Sequence, residues 1–149
     1  MKILALVAAR GGSKRLPGKN VRLLGGLPLI EWSINSAKGF TQIVDILVST
    51  DDIEIATICK AAGAYVPWLR PGALASDSAS SVDVALHALD WYESEKGPVD
   101  GLLLLQPTSP FRSSATIQRS FELFEKHGYR PVLGVSKPHE HPMWAMKLH

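Results

Sequence analysis

Short, continuous apolar runs recur along the chain, and longer segments with spaced apolar residues separate them. A run of about four to eight apolar residues that ends at glycine or polar residues is typical of a strand buried on both faces of a parallel sheet. Such runs lie at residues 2–7, 43–48 and 102–105, with shorter or weaker ones at 64–67, 131–135 and 144–148. The pattern therefore predicts three central strands and further strands at the last three positions.

The segments between the runs carry apolar residues at intervals of three and four, which is the spacing of one helix face. The stripes are Ile30, Ile34 and Ala37; Ile55, Ile58, Cys59 and Ala62; Val82, Ala85, Leu86 and Leu89; and Ile117, Phe121 and Phe124. Pro28 begins the first predicted helix, the pair Asp51 and Asp52 caps the second, and Ser113 or Ser114 caps the last. We expect the third helix to run to about residue 92.

Strands that alternate with helices indicate an α/β fold with three layers, in which a mostly parallel, Rossmann-like sheet has helices on both faces. Three unusual loops, residues 10–20, 70–81 and 106–112, each follow a predicted strand. Ligands of open α/β sheets bind beyond the carboxyl ends of the strands. The three loops are therefore expected to meet at one site.

Composition and charge narrow the classes of function. The 149 residues are 46% hydrophobic and 20% charged, which suits one globular domain over residues 1–149. The net charge of +2 comes from one loop, since Arg10, Lys14, Arg15, Lys19 and Arg22 lie together without an acid and the rest of the chain is net negative. A nucleic-acid-binding face would spread its cations, so we expect no nucleic-acid partner.

The single cysteine and the absence of a long apolar segment add two expectations. Cys59 lies on a helical apolar stripe and predicts a packed core residue in a reducing compartment, the cytoplasm. The sequence has no apolar segment of transmembrane length, so we expect no membrane partner.

The first loop has the features of a polyphosphate site. It follows a buried strand and combines glycines, which let backbone N–H groups approach phosphate oxygens, with cations that neutralise them. The P-loop pattern does not fit, because Gly12 and Gly18 are one residue too far apart and Asn20 replaces its hydroxyl residue. The glycine pattern of dinucleotide-binding folds is also absent from the loop.

Three ordered motifs carry a resemblance to a known family. They read A-R-G-G-S-K-x-x-P-x-K-N at 9–20, R-P-x-x-L-A-x-D-x-x-x-S at 70–81 and L-L-Q-P-T-S-P-x-R at 104–112. Together they resemble the acylneuraminate cytidylyltransferases. The resemblance implies the fold of the nucleotide-diphospho-sugar transferases and a CTP-dependent reaction with Mg²⁺. In that reaction a nine-carbon α-keto sugar acid attacks CTP, giving a CMP-sugar and pyrophosphate.

The resemblance also implies roles for the residues that match the motifs. Arg10 and Lys14 would bind the β- and γ-phosphates, with backbone groups of Gly11, Gly12 and Ser13 nearby. Lys19 would hold the α-phosphate, so that Lys19 and Arg10 are the expected catalytic residues, and Asn20 would touch the sugar or phosphate of the nucleotide. The expected cytosine-selecting residues are Arg70, Ala79 and Ser81, and Gln106 would face the acceptor sugar.

Several of these residues have plainer alternatives. Lys14 could be a solvated loop charge, and Arg70 could close a turn before Pro71. Asp77 could cap a turn, Gln106 could satisfy backbone groups at a strand end, and Arg112 could be a charge at the start of a helix.

The segment near the end of the chain bears on the acceptor sugar. His139 and His141 resemble a metal pair, but no third ligand lies within reach by sequence, so the metal ligands stay unassigned. Members of the family that use sialic acid have a lysine after the His-Pro step, where this chain has Met143 and Trp144. That departure counts against N-acetylneuraminate and admits legionaminic or pseudaminic acid, with Trp144 against an apolar edge of the sugar.

The resemblance sets one expectation about length and leaves two alternatives for function. Family members continue beyond residue 149 with a dimerisation arm, further sugar contacts and metal-binding aspartates, and the longer protein is expected to be a homodimer. The chain could instead be a CTP-binding module without turnover. Within the enzyme class, the alternative is the cytidylyltransferase for 3-deoxy-manno-octulosonate.

Overall fold

The computed structural model describes residues 1–76 and 78–136, which form an α/β fold. The strands are β1 (Ile3–Ala8), β2 (Leu23–Leu24), β3 (Leu27–Pro28), β4 (Ile43–Ser49) and β5 (Gly101–Leu104). The helices are α1 (Leu29–Ala37), α2 (Ile53–Ala61), α3 (Ser81–Lys96) and α4 (Ser114–Lys126). Short 3₁₀ turns lie at Lys19–Val21 and Gly72–Leu74.

The main sheet has the order β4-β1-β5, and both pairings are parallel. β1 is central, so its residues are buried on both sides of the sheet, as the apolar run at 2–7 predicts. Ala5 pairs with Ile46 of β4 and with Leu103 of β5. Because the three strands are parallel, their carboxyl ends lie at one edge of the sheet, as predicted.

Side chains of β1 alternate between two helical layers. Ala5 and Val7 pack in one cluster with α1 and α2, whereas Leu4 and Leu6 pack in another with α3. Helix α4 packs against Ile3 through a third cluster. The predicted three-layer arrangement, with helices on both faces of a parallel sheet, is confirmed.

Two helix caps follow the predictions, and a third was missed. Asp52 accepts hydrogen bonds from the amides of Glu54 (2.8 Å) and Ile55 (3.1 Å), so this member of the acid pair caps α2. Ser113 rather than Ser114 caps α4. Ser80 caps α3 in a reciprocal capping box with Asp83. Helix α3 continues to Lys96, one turn beyond the predicted end.

A small hairpin precedes α1 and was also missed. β2 and β3 are antiparallel, and Gly25 and Gly26 turn the chain between them with φ of 61° and 88°. Positive φ at both turn positions is the conformation that a Gly-Gly pair adopts without strain, so this dipeptide was the available signal. Trp32 of α1 donates its indole N–H to the carbonyl of Leu24 at 2.9 Å and fixes the hairpin against the helix.

Two strand predictions need correction. The strand predicted at 131–135 is wrong, because this segment is irregular and Leu133 and Val135 are 84% and 91% exposed. An apolar run forms a strand only where a neighbour supplies ladder hydrogen bonds, and none of the described strands pairs with it. The strand predicted at 64–67 reduces to one parallel bridge between Tyr65 and Leu47. Residues 144–148 lie outside the described part.

None of the helices in the described ranges is both long and apolar enough to cross a bilayer. Cys59 is fully buried in the cluster under α1 and α2, which confirms its packing role. Burial, with a smaller contribution from Glu31, raises the pKa of its thiol to about 12.

We predict that Cys59 makes the fold sensitive to alkaline pH. An unfolded thiol ionises near pH 8.5, so the unfolded state is favoured as pH rises from there towards 12. Between pH 8 and pH 10 the chain should lose on the order of 1–2 kcal/mol more free energy of unfolding than Cys59→Ala loses. Urea titrations at both pH values measure the difference, and equal losses in the two proteins would contradict it.

Candidate functional site

The loop after β1 is attached to the end of β4. The amide of Ala9 donates to the carbonyl of Ser49 at 3.0 Å, which extends the sheet pairing by one residue. The next contact is made by a side chain, because the Gly11 amide donates to Oδ1 of Asp51 at 3.0 Å. The loop therefore starts across the carboxyl edge of the sheet, above β4.

Gly11 lies too close to the β4–α2 junction for any other residue. A Cβ at this position would lie 2.5 Å from Oδ2 and 3.0 Å from Cβ of Asp52. Asp52 cannot easily move aside, since it caps α2. Gly12 is exposed, and a Cβ at its position would meet nothing within 4 Å.

The far end of the loop returns to its beginning. Asn20 is buried and donates its side-chain amide to the carbonyl of Arg10 at 3.0 Å. Gly18, with φ of 64°, leads into the 3₁₀ turn that begins at Lys19. Asn20, a predicted nucleotide contact, thus holds the two expected catalytic residues, Arg10 and Lys19, at adjoining ends of the loop.

Arg70 is the buried cation of the site, with 7% of its surface exposed. Its backbone amide donates to the carbonyl of Thr50 at 2.7 Å, and its Nη2 lies 3.9 Å from Oδ1 of Asp51. Its Nε is buried and has no hydrogen-bond partner among residues 1–76 and 78–136. Burial lowers the pKa of the guanidinium, Asp51 offsets part of that effect, and the nearby charge of Arg10 adds to it.

A cleft at the carboxyl edge brings several of the predicted residues together. It is lined by Ala8, Arg10, Arg70, Leu74, Ser76, Ala79, Ser80, Ser81 and Val84. Four of these, Arg10, Arg70, Ala79 and Ser81, are predicted nucleotide contacts. The cleft measures about 240 Å³, and a cavity of about 290 Å³ between α2 and residues 66–69 is lined by none of the predicted site residues.

The other predicted residues occupy the rim of this region. Ser13 and Lys19 are half-buried and Lys14 is exposed, and none of them lines the cleft. The side chain of Gln106 is exposed, while its carbonyl accepts a hydrogen bond from Nη2 of Arg112 at 2.6 Å. Asp77, His139, His141 and Trp144 lie outside the described residues.

Arg112 has a larger structural role than a charge at the start of a helix. Besides the Gln106 carbonyl, it binds Oγ of Ser33 in α1 at 3.2 Å, so it ties the third loop to the layer that packs on β1. Burial lowers the pKa of its guanidinium. The edge of Phe111 also packs on Trp32, with 5.5 Å between the ring centres.

Asp51 is the site residue that the sequence prediction missed. By sequence both acids are alternative metal ligands, but Asp52 is favoured as the helix cap, and Asp52 is the cap. Asp51 instead contacts both the first loop and Arg70. The available signal was its place directly beyond a buried strand, where ligand sites of α/β sheets are built.

The described residues contain no group of three His, Cys, Asp or Glu side chains that could hold a metal ion. Asp51 and Asp52, the acids nearest the loop, already accept hydrogen bonds from backbone amides.

The sequence is similar to that of known proteins over most of its length. A family model described as Cytidylyltransferase matches residues 4–141. The chain is 42% identical over 148 residues to the CMP-N,N'-diacetyllegionaminic acid synthase of Legionella pneumophila. The aligned region covers 99% of the chain and 63% of that protein. It is 35% identical to the pseudaminic acid cytidylyltransferase of Campylobacter jejuni, over 83% of the chain and 53% of the relative.

A third relative, the N-acylneuraminate cytidylyltransferase of Escherichia coli, is 36% identical over 91% of the chain and 32% of its own length. The chain thus spans between about a third and two thirds of the relatives it matches. Among solved structures, CMP:2-keto-3-deoxy-manno-octonic acid synthetase in complex with CTP has a TM-score of 0.74 at 23% identity, covering 88% of this chain and 50% of that one. A likeness at this identity shows the shared fold.

We predict that Gly11 and Gly12 respond differently to the same substitution. Gly11→Ala places a methyl group against the Asp52 cap and should lower the free energy of unfolding by about 1–3 kcal/mol. Gly12→Ala meets open space and should change it by less than about 0.5 kcal/mol. Denaturant titration of the two variants beside the wild type measures both, and equal effects would place the loop away from the β4–α2 junction.

Proposed function

The chain belongs to the cytidylyltransferase family, and from that membership we propose that it is the nucleotide-binding part of an enzyme that makes CMP-sugars. The donor is CTP. The acceptor is a nine-carbon α-keto sugar acid of the sialic, legionaminic or pseudaminic type. The products are the CMP-sugar and pyrophosphate.

The observation that carries this proposal is the cleft that Arg10 and Arg70 line together. One of these cations belongs to the glycine-containing loop and the other to the second motif. A nucleoside triphosphate needs its base and its phosphates bound at a fixed separation. Residues assigned to both ends of the nucleotide converge here, on loops held by backbone contacts to the sheet.

In the proposed reaction the anomeric hydroxyl of the acceptor attacks the α-phosphorus of CTP. A bond forms between that oxygen and phosphorus, and the bond from phosphorus to the oxygen bridging the α- and β-phosphates breaks. Pyrophosphate leaves with the bonding electrons, and the hydroxyl proton is released. Such transfers depend on positioning and on stabilising charge, which are the functions that fixed cations and amides provide.

The proposed residue roles are those that the resemblance implies for the matching positions of the loop. Arg10 and Lys14 would bind the β- and γ-phosphates and stabilise the departing pyrophosphate. Lys19 would face the α-phosphate, where charge increases in the transition state.

Backbone groups of Gly11, Gly12 and Ser13 would lie near the phosphates. The amides of Gly11 and Ser13 already donate to Asp51 and to the Gly11 carbonyl. The Gly12 amide would therefore be the one to donate to a phosphate oxygen.

Different observations support the residues proposed to contact the base of CTP and the residue proposed to contact the acceptor. Arg70, Ala79 and Ser81 would select cytosine, since they lie in the cleft beyond the phosphate loop. Gln106 would meet the acceptor, with its loop held by Arg112. The relative with 42% identity is named for N,N'-diacetyllegionaminic acid, so that acid is the first acceptor to test. Likeness to the octulosonate enzyme rests on fold alone.

Mg²⁺, the oligomer and the compartment complete the proposal. Mg²⁺ would enter with the triphosphate and help to neutralise it, and its protein ligands would come from outside the described residues. The longer protein would be a homodimer. Cys59, a free and buried thiol, is consistent with the reducing cytoplasm.

A binding module without turnover is the second candidate function. It would keep the proposed nucleotide cleft, which Arg10 and Arg70 line, without forming a CMP-sugar. Nucleotide binding and product formation must therefore be measured separately.

We predict that Lys19→Ala lowers kcat/KM for pyrophosphate release from CTP by about 10²–10³-fold, because it removes a cation at the reacting phosphate. Arg15→Ala is the matched control, since it removes an exposed cation of the same loop, and it should stay within about threefold of wild type. The assay contains CTP, Mg²⁺ and a panel of nonulosonic acids, and mass spectrometry identifies the CMP-sugar.

Three results are possible. CMP-sugar formation that requires Lys19 supports the enzyme. Thermal stabilisation by CTP without product with any acceptor identifies the binding module. If CTP neither stabilises the chain nor is consumed, the proposed function is wrong.

A further inference from the structure

Asp51 lies at the junction of the two halves of the proposed nucleotide site. It follows β4 directly, and about 29% of its side chain is exposed. One oxygen, Oδ1, makes both of its contacts: it accepts from the Gly11 amide at 3.0 Å and lies 3.9 Å from Nη2 of Arg70. The first contact is with the loop at residues 10–20, which is proposed to bind the phosphates. The second is with Arg70, which is proposed to contact the base.

Arg70 depends on this carboxylate more than an exposed arginine would. It is buried, it lies in the same cleft as Arg10, and a second cation disfavours its charge. Its ion pair within the described residues is with Asp51. A buried charge needs a partner, and loss of this carboxylate would remove the acid that the described residues place beside the guanidinium.

The neighbouring acid cannot take over. Asp52 uses Oδ1 for the two amides that begin α2, and the chain direction at the cap fixes its side chain there. The contact with Gly11 requires only an oxygen acceptor, whereas the contact with Arg70 requires negative charge. The two functions of Asp51 are therefore separable by substitution.

We propose that Asp51 is a specificity-determining positioning residue. It fixes the position of Arg70 relative to the loop at residues 10–20, which binds the phosphates in the proposed function. Through its hydrogen bond it fixes where the loop amides meet the triphosphate, and through its charge it fixes where Arg70 meets the base. Preference for cytosine then depends on a residue that touches no part of the nucleotide. This inference rests on the proposed function for the identity of the nucleotide.

Two substitutions separate the contacts. Asp51→Asn keeps an oxygen for the Gly11 amide and removes the charge, whereas Asp51→Ala removes both. Glu54→Gln is the matched control, because it removes an exposed negative charge three residues away, in the first turn of α2. Calorimetric titration of the folded chains with CTP, UTP and inorganic tripolyphosphate measures the base and phosphate ends, and hydrogen exchange at the Gly11 amide reports the loop without any ligand.

In Asp51→Asn we expect CTP affinity to fall by about tenfold or more and the CTP-to-UTP affinity ratio to shrink by a similar factor. Tripolyphosphate affinity and exchange at Gly11 should stay within about threefold of wild type. In Asp51→Ala tripolyphosphate affinity should fall as well, and exchange at Gly11 should accelerate by about tenfold or more. Glu54→Gln should match wild type in every measurement.

Other outcomes overturn the inference. If Asp51→Asn weakens CTP, UTP and tripolyphosphate equally, the carboxylate acts on phosphate binding alone. If Asp51→Ala leaves Gly11 protected, the loop does not depend on it. If the wild type shows no preference for CTP, the proposed function fails first and this inference with it, whereas a wild-type preference that Asp51→Asn retains refutes the inference alone.

Discussion

The close approach of Gly11 to the β4–α2 junction is the constraint on which the rest of the site depends. Because Gly11 has no side chain, the loop can lie directly against Asp52 at the end of the sheet. Its amide then reaches Asp51. β1 is the central strand, so the first residues after it emerge beside both neighbouring strands. A cationic segment that would otherwise be a solvated loop becomes part of a defined cleft.

The repulsion between the cations of the candidate site is a second constraint on its structure. The loop concentrates five cations, and the cleft adds a buried arginine beside one of them. Such a group repels itself when no anion is bound, so contacts from the scaffold must hold it in place. Asn20 holds the carbonyl of Arg10, and Asp51 lies beside the guanidinium of Arg70.

The sequence predicted those parts of the fold that local periodicity determines. β1, β4 and the helices α1 to α4 follow from runs and stripes, because burial on two faces or on one leaves a direct pattern. The segment at 131–135 has the composition of a strand, but none of the strands that the structure describes pairs with it, and pairing is not a local property. The role of Asp51 was missed for a similar reason, since its contacts with Gly11 and Arg70 join segments that are distant in the sequence.

The two ends of the site differ in how firmly the fold holds them. The proposed nucleotide end is held by backbone contacts to buried strands, so a change at those contacts disturbs the core. The proposed acceptor end lies on the loop at 106–112, which is held by two hydrogen bonds of Arg112 and by the contact of Phe111 with Trp32. Substitutions on that loop can alter its contacts with the proposed acceptor without affecting the sheet. A scaffold of this kind can therefore keep one nucleotide while its acceptor changes, since Gln106 is exposed and β1 is not.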